Sequence, residues 1–321
     1  MNKINILVVA AAMAITAGPV FAQNWPARTV RIIVPYAAGG NTDYTARTVG
    51  AKIAEMWGQQ VVVDNRPGGG TNIGSELAAT AAPDGYTLFM GGASNAINMT
   101  LYAKPPYNTA RDFAPVVWCV QGAALLAAHP SLPAKNAKEL IALAKSKPGQ
   151  LNYGHAGLGS SNHMAGELLK YMAGINIVHV PYKGNAPSIT DAISGNVEMV
   201  FSGVPALVPH IKSGRLRPIA ISSLQRFPAV PDVPTFDESG VKGYEASNWF
   251  GLMAPSKVSK AIISKVNADV NKALAMKDVR EKFSRDGLIT KGGTIETFDQ
   301  FIRAETEKYA NVIKKAGIKQ L

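Results

Sequence analysis

The sequence predicts an α/β protein with a largely parallel sheet. Short apolar runs of the kind that form strands alternate along the chain with longer segments in which apolar residues recur about every 3.6 residues, as on one face of a helix. Gly-rich turns connect the end of a strand-like run to the beginning of a helix-like segment. Because strands that are joined through helices pair in parallel, these observations together predict βαβ units.

The strands are predicted where short apolar runs are bounded by turn residues. In chain order they are residues 30–34, 61–63, 87–90, 151–154, 177–180, 197–201 and 216–221. Two further apolar segments, 113–128 and 249–254, suit chain crossings between two lobes. The Pro-rich stretch 227–234 predicts irregular structure.

The helices are predicted from apolar residues at helical spacing. In chain order they are residues 42–57, 72–81, 135–146, 160–172, 186–194, 207–212, 259–275 and 297–316. Gly58 and Gly174 end two of them, since glycine readily adopts the left-handed conformation found at helix C-termini.

The first 22 residues have the pattern of a secretory signal peptide. Lys3 supplies a positive start, residues 4–17 are mostly apolar, and Val20-Phe21-Ala22 is a cleavage signature. The apolar core is shorter than the ~20 residues that cross a membrane. We therefore expect cleavage after Ala22 and a periplasmic protein, in preference to a buried N-terminal helix.

The charge and the cysteine content of the chain limit the classes of function that it can have. Lys and Arg number 33 against 22 Asp and Glu, a formal charge of +11, but they are scattered and form no basic run. We therefore expect no nucleic-acid binding, and only a mild bias toward anionic ligands. The single cysteine, Cys119, excludes an internal disulfide, and its apolar neighbours predict a buried thiol.

Three turns are candidates for a ligand site. They span residues 35–43, 91–95 and 153–161, and all are rich in Gly and in small hydroxyl or amide side chains. A helix N-terminus presents unpaired N–H groups and partial positive charge, which suits a carboxylate or phosphate. Ordinary capping is the alternative, because each turn carries a good N-cap residue. These residues are Thr42, Ser94 and Ser160. Three such turns in one chain favour a ligand cleft.

No catalytic constellation is evident. The sequence has no G-x-S-x-G and no Walker phosphate loop, and the third Gly of residues 68–74 comes one position too late for a dinucleotide fingerprint. We therefore expect no catalytic residue and no cofactor.

The histidines show no metal-binding spacing. There are five, His129, His155, His163, His179 and His210. None forms H-E-x-x-H or another close metal spacing, so we expect no metal site. His179 lies in an apolar strand and is expected to be a hydrogen-bonded core residue. His155 and His163 flank the third turn, and His163 is a candidate for the cleft.

An ordered series of motifs runs along the chain. They are IVPYAAGGNTD (33–43) followed by Arg47, VDNRPGGG (63–70), NIG (72–74), PDGYTL (83–88), GLGSSNH (157–163), HVPYKG (179–184), PHIKSG (209–214) and PDVPT (231–235). In this order the chain resembles the Bug-type periplasmic solute-binding proteins of tripartite tricarboxylate transporters. The resemblance covers essentially all of the sequence after the signal peptide.

The resemblance implies a type II periplasmic-binding-protein fold. Two lobes, each a mostly parallel sheet flanked by helices, would be joined by two chain crossings and close on the ligand. Lobe I would comprise residues 23–123 and 247–321, and lobe II residues 124–246.

The resemblance also implies a ligand site. In this family backbone groups, hydroxyl groups and bridging waters hold the ligand carboxylate. The matching positions are Tyr36, Gly40, Asn41, Thr42, Asp43, Ala93, Ser94, Ala156, Gly159, Ser160, His163, Tyr182 and Gly203. The chain departs from the family pattern at Tyr36, where Phe is more usual, and at Asn41, where Ser, Gly or Thr is usual. Ser202-Gly203 replaces a frequent acidic residue.

The expected function is binding of a small carboxylate, without catalysis, and delivery to the membrane components of a transporter. The protein is expected to act as a monomer. One alternative is a secreted α/β enzyme, an esterase or lyase acting on an anionic substrate. Another is a sensory module of the same fold that presents its ligand to a membrane sensor kinase.

Overall fold

The computed structural model describes residues 25–321, and the predicted signal peptide lies outside them. The strands are β1 (Val30–Val34), β2 (Val61–Asn65), β3 (Thr87–Gly92), β4 (Phe113–Ala128), β5 (Asn152–His155), β6 (Val178–Pro181), β7 (Met199–Gly203), β8 (Arg217–Ile221), β9 (Ser247–Pro255) and β10 (Leu288–Thr290). Within the described range, no helix is both long and apolar enough for a membrane crossing.

Helices cover both faces of these strands. They are α1 (Asn41–Trp57), α2 (Asn72–Ala79), α3 (Ala93–Leu101), α4 (Thr109–Asp112), α5 (Ala137–Ser146), α6 (Ser161–Ala173), α7 (Asn185–Ile193), α8 (Val204–Lys212), α9 (Lys260–Ala275), α10 (Lys277–Arg285) and α11 (Ile295–Lys315). Side chains of a strand alternate between the two faces of a sheet. In β1, Ile32 accordingly joins the core under α1 and α9, whereas Ile33 joins the core under α3 and α11.

The strands form two sheets that share β4. The first lobe contains the order β2-β1-β3-β9-β4, with β10 also paired to β4. The second lobe contains β4-β7-β5-β6, with β8 also paired to β4. Each sheet therefore has its own flanking helices and its own apolar core.

The long strand β4 carries the chain from one lobe to the other. It pairs with β9 as far as Ala123 and with β7 from Ala124 onward. The return crossing follows Ala246, where β9 begins. Buried Ser222 connects the two crossings: its Oγ accepts a hydrogen bond from Ala124 N (2.8 Å) and donates one to Ala246 O.

The predicted two-lobed α/β fold is confirmed. Strand direction needs a correction, because the sheets are mixed rather than mostly parallel. β1, β2 and β3 pair in parallel, as do β5, β6 and β7, but β9 runs antiparallel to β3 and β4, and β4 runs antiparallel to β7 and β8. The two crossing segments are thus full members of the sheets, which the sequence pattern did not indicate.

Candidate functional site

A small cavity lies between the lobes, at the carboxyl ends of several strands. It encloses about 20 Å³, room for one or two water molecules. Its lining is formed by Tyr36, Gly40, Asn41, Thr42, Ala156, Ser160, Ser161, Asn162, Asn185, Asn248 and Phe250. Six of the thirteen positions expected from the sequence are in this lining, and they come from the first and third turns.

Three helix N-termini meet at this cavity. Asn41 and Thr42 begin α1, Ser161 begins α6 and Asn185 begins α7. The first N–H groups of a helix have no partner within it and carry partial positive charge. Within residues 25–321 no ionisable acid or base other than the Tyr36 phenol lines the cavity. The arrangement suits an anion that is held by dipoles and neutral donors.

The first turn is held in shape by Asp43. Gly39, at φ 85°, donates its N–H to Asp43 Oδ2 over 2.9 Å, and Arg47 Nε donates to the same oxygen over 2.9 Å. Burial alone would raise the pKa of Asp43, but these hydrogen bonds outweigh it and the pKa is lowered. Asp43 does not line the cavity, and the geometry gives it a positioning function.

Asn41 lines the cavity, and its side-chain amide is buried without hydrogen bonds to other described residues. Its side chain is 2% exposed, and neither amide atom has a hydrogen-bond partner within the described chain. It faces Gly203 of the other lobe so closely that a Cβ at position 203 would lie 1.4 Å from Asn41 Nδ2. Buried amides are normally hydrogen-bonded, so Asn41 offers both a donor and an acceptor to whatever the cleft holds.

Ala93 and Ser94, at the start of α3, lie behind this lining. Ser94 is buried and its hydroxyl is near the phenol of Tyr36, which does line the cavity. Burial raises the pKa of Tyr36, and the Ser94 hydroxyl opposes that change. The Ser94 hydroxyl itself is buried without a hydrogen-bond partner among the described residues.

The expected N-caps are found at only one of three turns. Ser160 caps α6, its Oγ accepting from His163 N over 3.1 Å. Helix α1 begins after Gly40 and α3 after Gly92, so Thr42 and Ser94 lie inside their helices. Helix capping therefore accounts for the presence of Ser160 at its position, whereas Thr42 has no capping function.

Gly159 and Tyr182 also lie outside the lining. Gly159, at φ 74°, packs against the first lobe, where a Cβ would lie 2.0 Å from Asn98 Oδ1. The hydroxyl of Tyr182 donates to Asp191 Oδ2 over 2.7 Å. Both positions stay predictions as ligand contacts.

Sequence reasoning missed an asparagine network across the cleft. Asn162 Nδ2 donates to Asn185 Oδ1 over 2.8 Å, Asn248 Nδ2 donates to Asn162 Oδ1 over 3.2 Å, and Ser161 donates to Asn248. Ser161 is the last residue of the third turn, Asn162 follows it, and Asn185 directly follows the HVPYKG motif, so all three had a local signal. Asn248 had none, because only the path of β9 brings it here.

The lobes touch each other in this structure. Ala37 N donates to Lys183 O over 3.0 Å, and the asparagine network connects β9 to α6 and α7. A cavity of this size is too small for a dicarboxylate, so a ligand of that kind enters only when the lobes separate.

Three histidines form a second cluster in the second lobe. His155 ends β5, His179 lies beside it in β6, and His163 lies in the first turn of α6. Their ring centroids are 4.7–5.4 Å apart. Burial lowers the pKa of all three, that of His163 to about 4. His163 does not line the small cavity but a different pocket, of about 610 Å³, together with Glu167 and Lys170, and its contact with a ligand stays a prediction.

Comparisons with known proteins support a single family. A family model described as "Tripartite tricarboxylate transporter family receptor" matches residues 45–318. The chain is 36% identical to Protein BugT of Bordetella pertussis, over 99% of both chains. An R. palustris protein solved with adipate is 36% identical, with a TM-score of 0.90, over 92% of this chain and 100% of the other. MatC from Rhodopseudomonas palustris, solved with bound malate, is 31% identical, with a TM-score of 0.86, over 90% and 100%.

Proposed function

Because this chain belongs to the tripartite tricarboxylate transporter receptor family, we propose that it binds a small carboxylate between its lobes and delivers it to the membrane components of such a transporter. Proteins of this family are periplasmic binding proteins. The observation that carries the proposal is the meeting of three helix N-termini at a cleft whose Asn41 amide is buried without a partner. Cleavage after Ala22, the action as a monomer and the lobe boundaries at 123/124 and 246/247 are part of this proposal.

Among the described residues, no Asp, Glu, Lys, Arg or His lines the cavity between the lobes, and this limits the chemical class of carboxylate that can bind there. An amino acid carries an ammonium group, which a closed cleft would have to neutralise with a carboxylate. Among the described residues no carboxylate lines the cavity, and Asp43 is already paired with Arg47. The ligand is therefore a mono- or dicarboxylate without an amino group, the class to which the adipate and malate of the two solved relatives belong.

Binding without turnover is better supported than catalysis. Ser160 and Ser161 line the cavity, but Ser160 Oγ is bonded to the backbone N of His163 and Ser161 Oγ to Asn248. A serine nucleophile needs a general base within hydrogen-bond reach. No histidine or carboxylate in the described lining supplies one. A sensory function would use the same cleft and differ only in the membrane partner.

Calorimetric titration with adipate, malate and aspartate tests the proposal. We expect saturable binding of at least one of the first two, weaker binding of aspartate and no product by mass spectrometry. In Asn41→Ala the affinity should fall about tenfold or more, because a hydrogen bond to a charged group contributes about 1.5–3 kcal/mol. Asn196→Ala, at an exposed position, is the matched control. Parent-like affinity in Asn41→Ala, or turnover of the ligand, would contradict the proposal.

A further inference from the structure

We propose that His155, His163 and His179 form a binding site for a divalent transition-metal ion of the zinc class. The three residues are 8 and 16 positions apart in sequence, and the fold brings them together. His155 and His179 are carried by neighbouring parallel strands, β5 and β6, and His163 by the helix that follows β5. One ligand atom from each ring can be chosen so that all three lie within 4.8 Å of one another.

The distance between two of the rings matches shared coordination. His155 Nε2 lies 3.3 Å from His179 Nδ1. Two nitrogen ligands at the usual zinc distance of about 2.0–2.1 Å and a tetrahedral angle are about 3.3 Å apart. The pair is therefore already spaced as two ligands of one ion, and a modest shift of His163 completes a three-histidine set.

Backbone contacts prepare His155 for this function. Its Nδ1 lies 3.0 Å from Gly157 O and 3.2 Å from Gly157 N. In the tautomer that is protonated at Nδ1, this nitrogen donates a hydrogen bond to Gly157 O and Nε2 is free to bind a metal. Histidine ligands commonly donate their second N–H to a backbone carbonyl in this way. His163 is held more loosely, since its Nδ1 accepts from Gly159 N over 3.4 Å.

The cluster has an entrance and a nearby carboxylate. His163 and His179 line the pocket of about 610 Å³, whose lining also includes Glu167 and Lys170. Glu167 is paired with Lys170 at 2.9 Å and accepts a hydrogen bond from the Tyr153 hydroxyl at 3.1 Å. The Lys170 charge beside the rings is thus neutralised, and the fourth coordination position faces the pocket, where a water or Glu167 completes a tetrahedral site.

The site would act on the ligand cleft through the third turn. His155 and His163 flank residues 156–160, of which Ala156 and Ser160 line the cavity between the lobes. An ion that connects the two ends of this loop restricts its conformations. The metal is therefore expected to hold the third turn in its binding geometry, although it does not contact the carboxylate.

Cobalt titration of the tag-free protein tests the proposal, because tetrahedral Co²⁺ absorbs strongly in the visible range. The protein is first freed of metal with a chelator and then titrated without any carboxylate ligand. We expect one equivalent of Co²⁺ to bind with a tetrahedral spectrum, and Zn²⁺ to displace it and raise the melting temperature. Absence of a saturable one-to-one signal in the parent protein would overturn the proposal.

Single substitutions assign the ligands. His179→Gln and His155→Gln should each lower the Co²⁺ affinity about 100-fold, whereas His129→Gln, outside the cluster, should leave it unchanged. Circular dichroism establishes that each variant is folded, and His179, being only partly buried, is the substitution that disturbs packing least. Equal affinity in His129→Gln and either cluster variant would overturn the assignment. Carboxylate titration of the parent protein in both its metal-loaded and its metal-free form measures the cleft separately, so failure of either proposal is distinguishable.

Discussion

Asn41 and Gly203 approach each other from opposite lobes, and each limits the space available to a side chain at the other position. Gly203 has φ −71° and ψ 151°, a conformation open to any residue, so its need for glycine comes from the cleft rather than from its own backbone. Any side chain at this position would occupy the space that Asn41 takes in the closed structure.

Gly203→Ala should therefore impair closure more than stability. The added Cβ would lie 1.4 Å from Asn41 Nδ2 only when the lobes are together. We expect the ligand-free melting temperature to stay near that of the parent, and the carboxylate affinity to fall about tenfold or more because the closed state is displaced. Titration calorimetry and thermal melting measure the two effects, and parent-like affinity would show that the cleft accommodates the extra methyl group.

Thr42 and Ser160 offer hydroxyl groups to the cavity from two lobes. Because Thr42 lies inside α1 and does not cap it, Thr42→Val removes a donor without removing a cap. Ser160→Ala removes both, and loss of an N-cap costs about 1 kcal/mol of stability. We expect each variant to bind the carboxylate about ten- to a hundredfold more weakly.

The remote cap Ser259, whose Oγ accepts from Ile262 N, provides the control. Ser259→Ala should lower the melting temperature and leave carboxylate affinity unchanged. If Thr42→Val and Ser160→Ala bind as tightly as the parent while folded, the two turns are structural and the site lies elsewhere in the cleft.

Among the elements, the helices and short strands were largely predictable. Their apolar spacing and glycine stops are local signals, so α1, α6, β1 and β5 lie within one residue or two of the predicted bounds. Helix α3 and the pair α10 and β10 were missed, because α3 begins with a turn that resembles a loop and α10 is highly charged. The antiparallel membership of β4 and β9 depends on long-range pairing, and no local pattern encodes it.

The same reasoning separates the predictable part of the site from the rest. The first and third turns carry Gly and hydroxyl residues at helix starts, a signal that sequence contains. The histidine cluster and Asn248 depend on which strands become neighbours. His155 and His179 are 24 residues apart and meet only because β5 and β6 pair.

The hydrogen bonds by which Ser222 connects the two crossing segments can be tested by substitution. Its side chain bonds both crossing segments, so Ser222→Ala leaves a buried N–H of Ala124 and a buried carbonyl of Ala246 without that partner. Such losses cost about 1–3 kcal/mol. Chemical denaturation should show a decrease of this size, whereas Ser223→Ala, which removes a bond to Gln225 O near the surface, should have little effect. An unchanged stability in Ser222→Ala would mean that the crossings are held by backbone pairing alone.

At the scale of the whole molecule, the two lobes are connected by two strand crossings and a few bonds across the cleft. With the proposed lobe boundaries at 123/124 and 246/247, the two crossings lie side by side, an arrangement that would permit hinge bending while both sheets stay intact. The closed cleft is too small for entry, so ligand exchange requires that motion.

Small-angle scattering should detect the motion directly. We expect the radius of gyration of the free protein to exceed that of the carboxylate complex, whose cleft has to be wider than the cavity of about 20 Å³ described here. Profiles that are identical with and without saturating carboxylate would contradict a clamp that opens for its ligand.

The route of the chain through β4 and β9 also sets an order of assembly. The second lobe is one uninterrupted stretch of sequence, whereas the first sheet needs β9, with Phe89 paired to Met253 across most of the chain. Contacts between distant parts of a chain form slowly, since the intervening loop must close first. During folding, the sheet that contains strands β1–β3 is therefore completed only when the C-terminal quarter of the protein joins it. A refolding experiment should therefore show the second lobe gaining protection from hydrogen exchange before the first, with one edge of β3 left unpaired until β9 joins it.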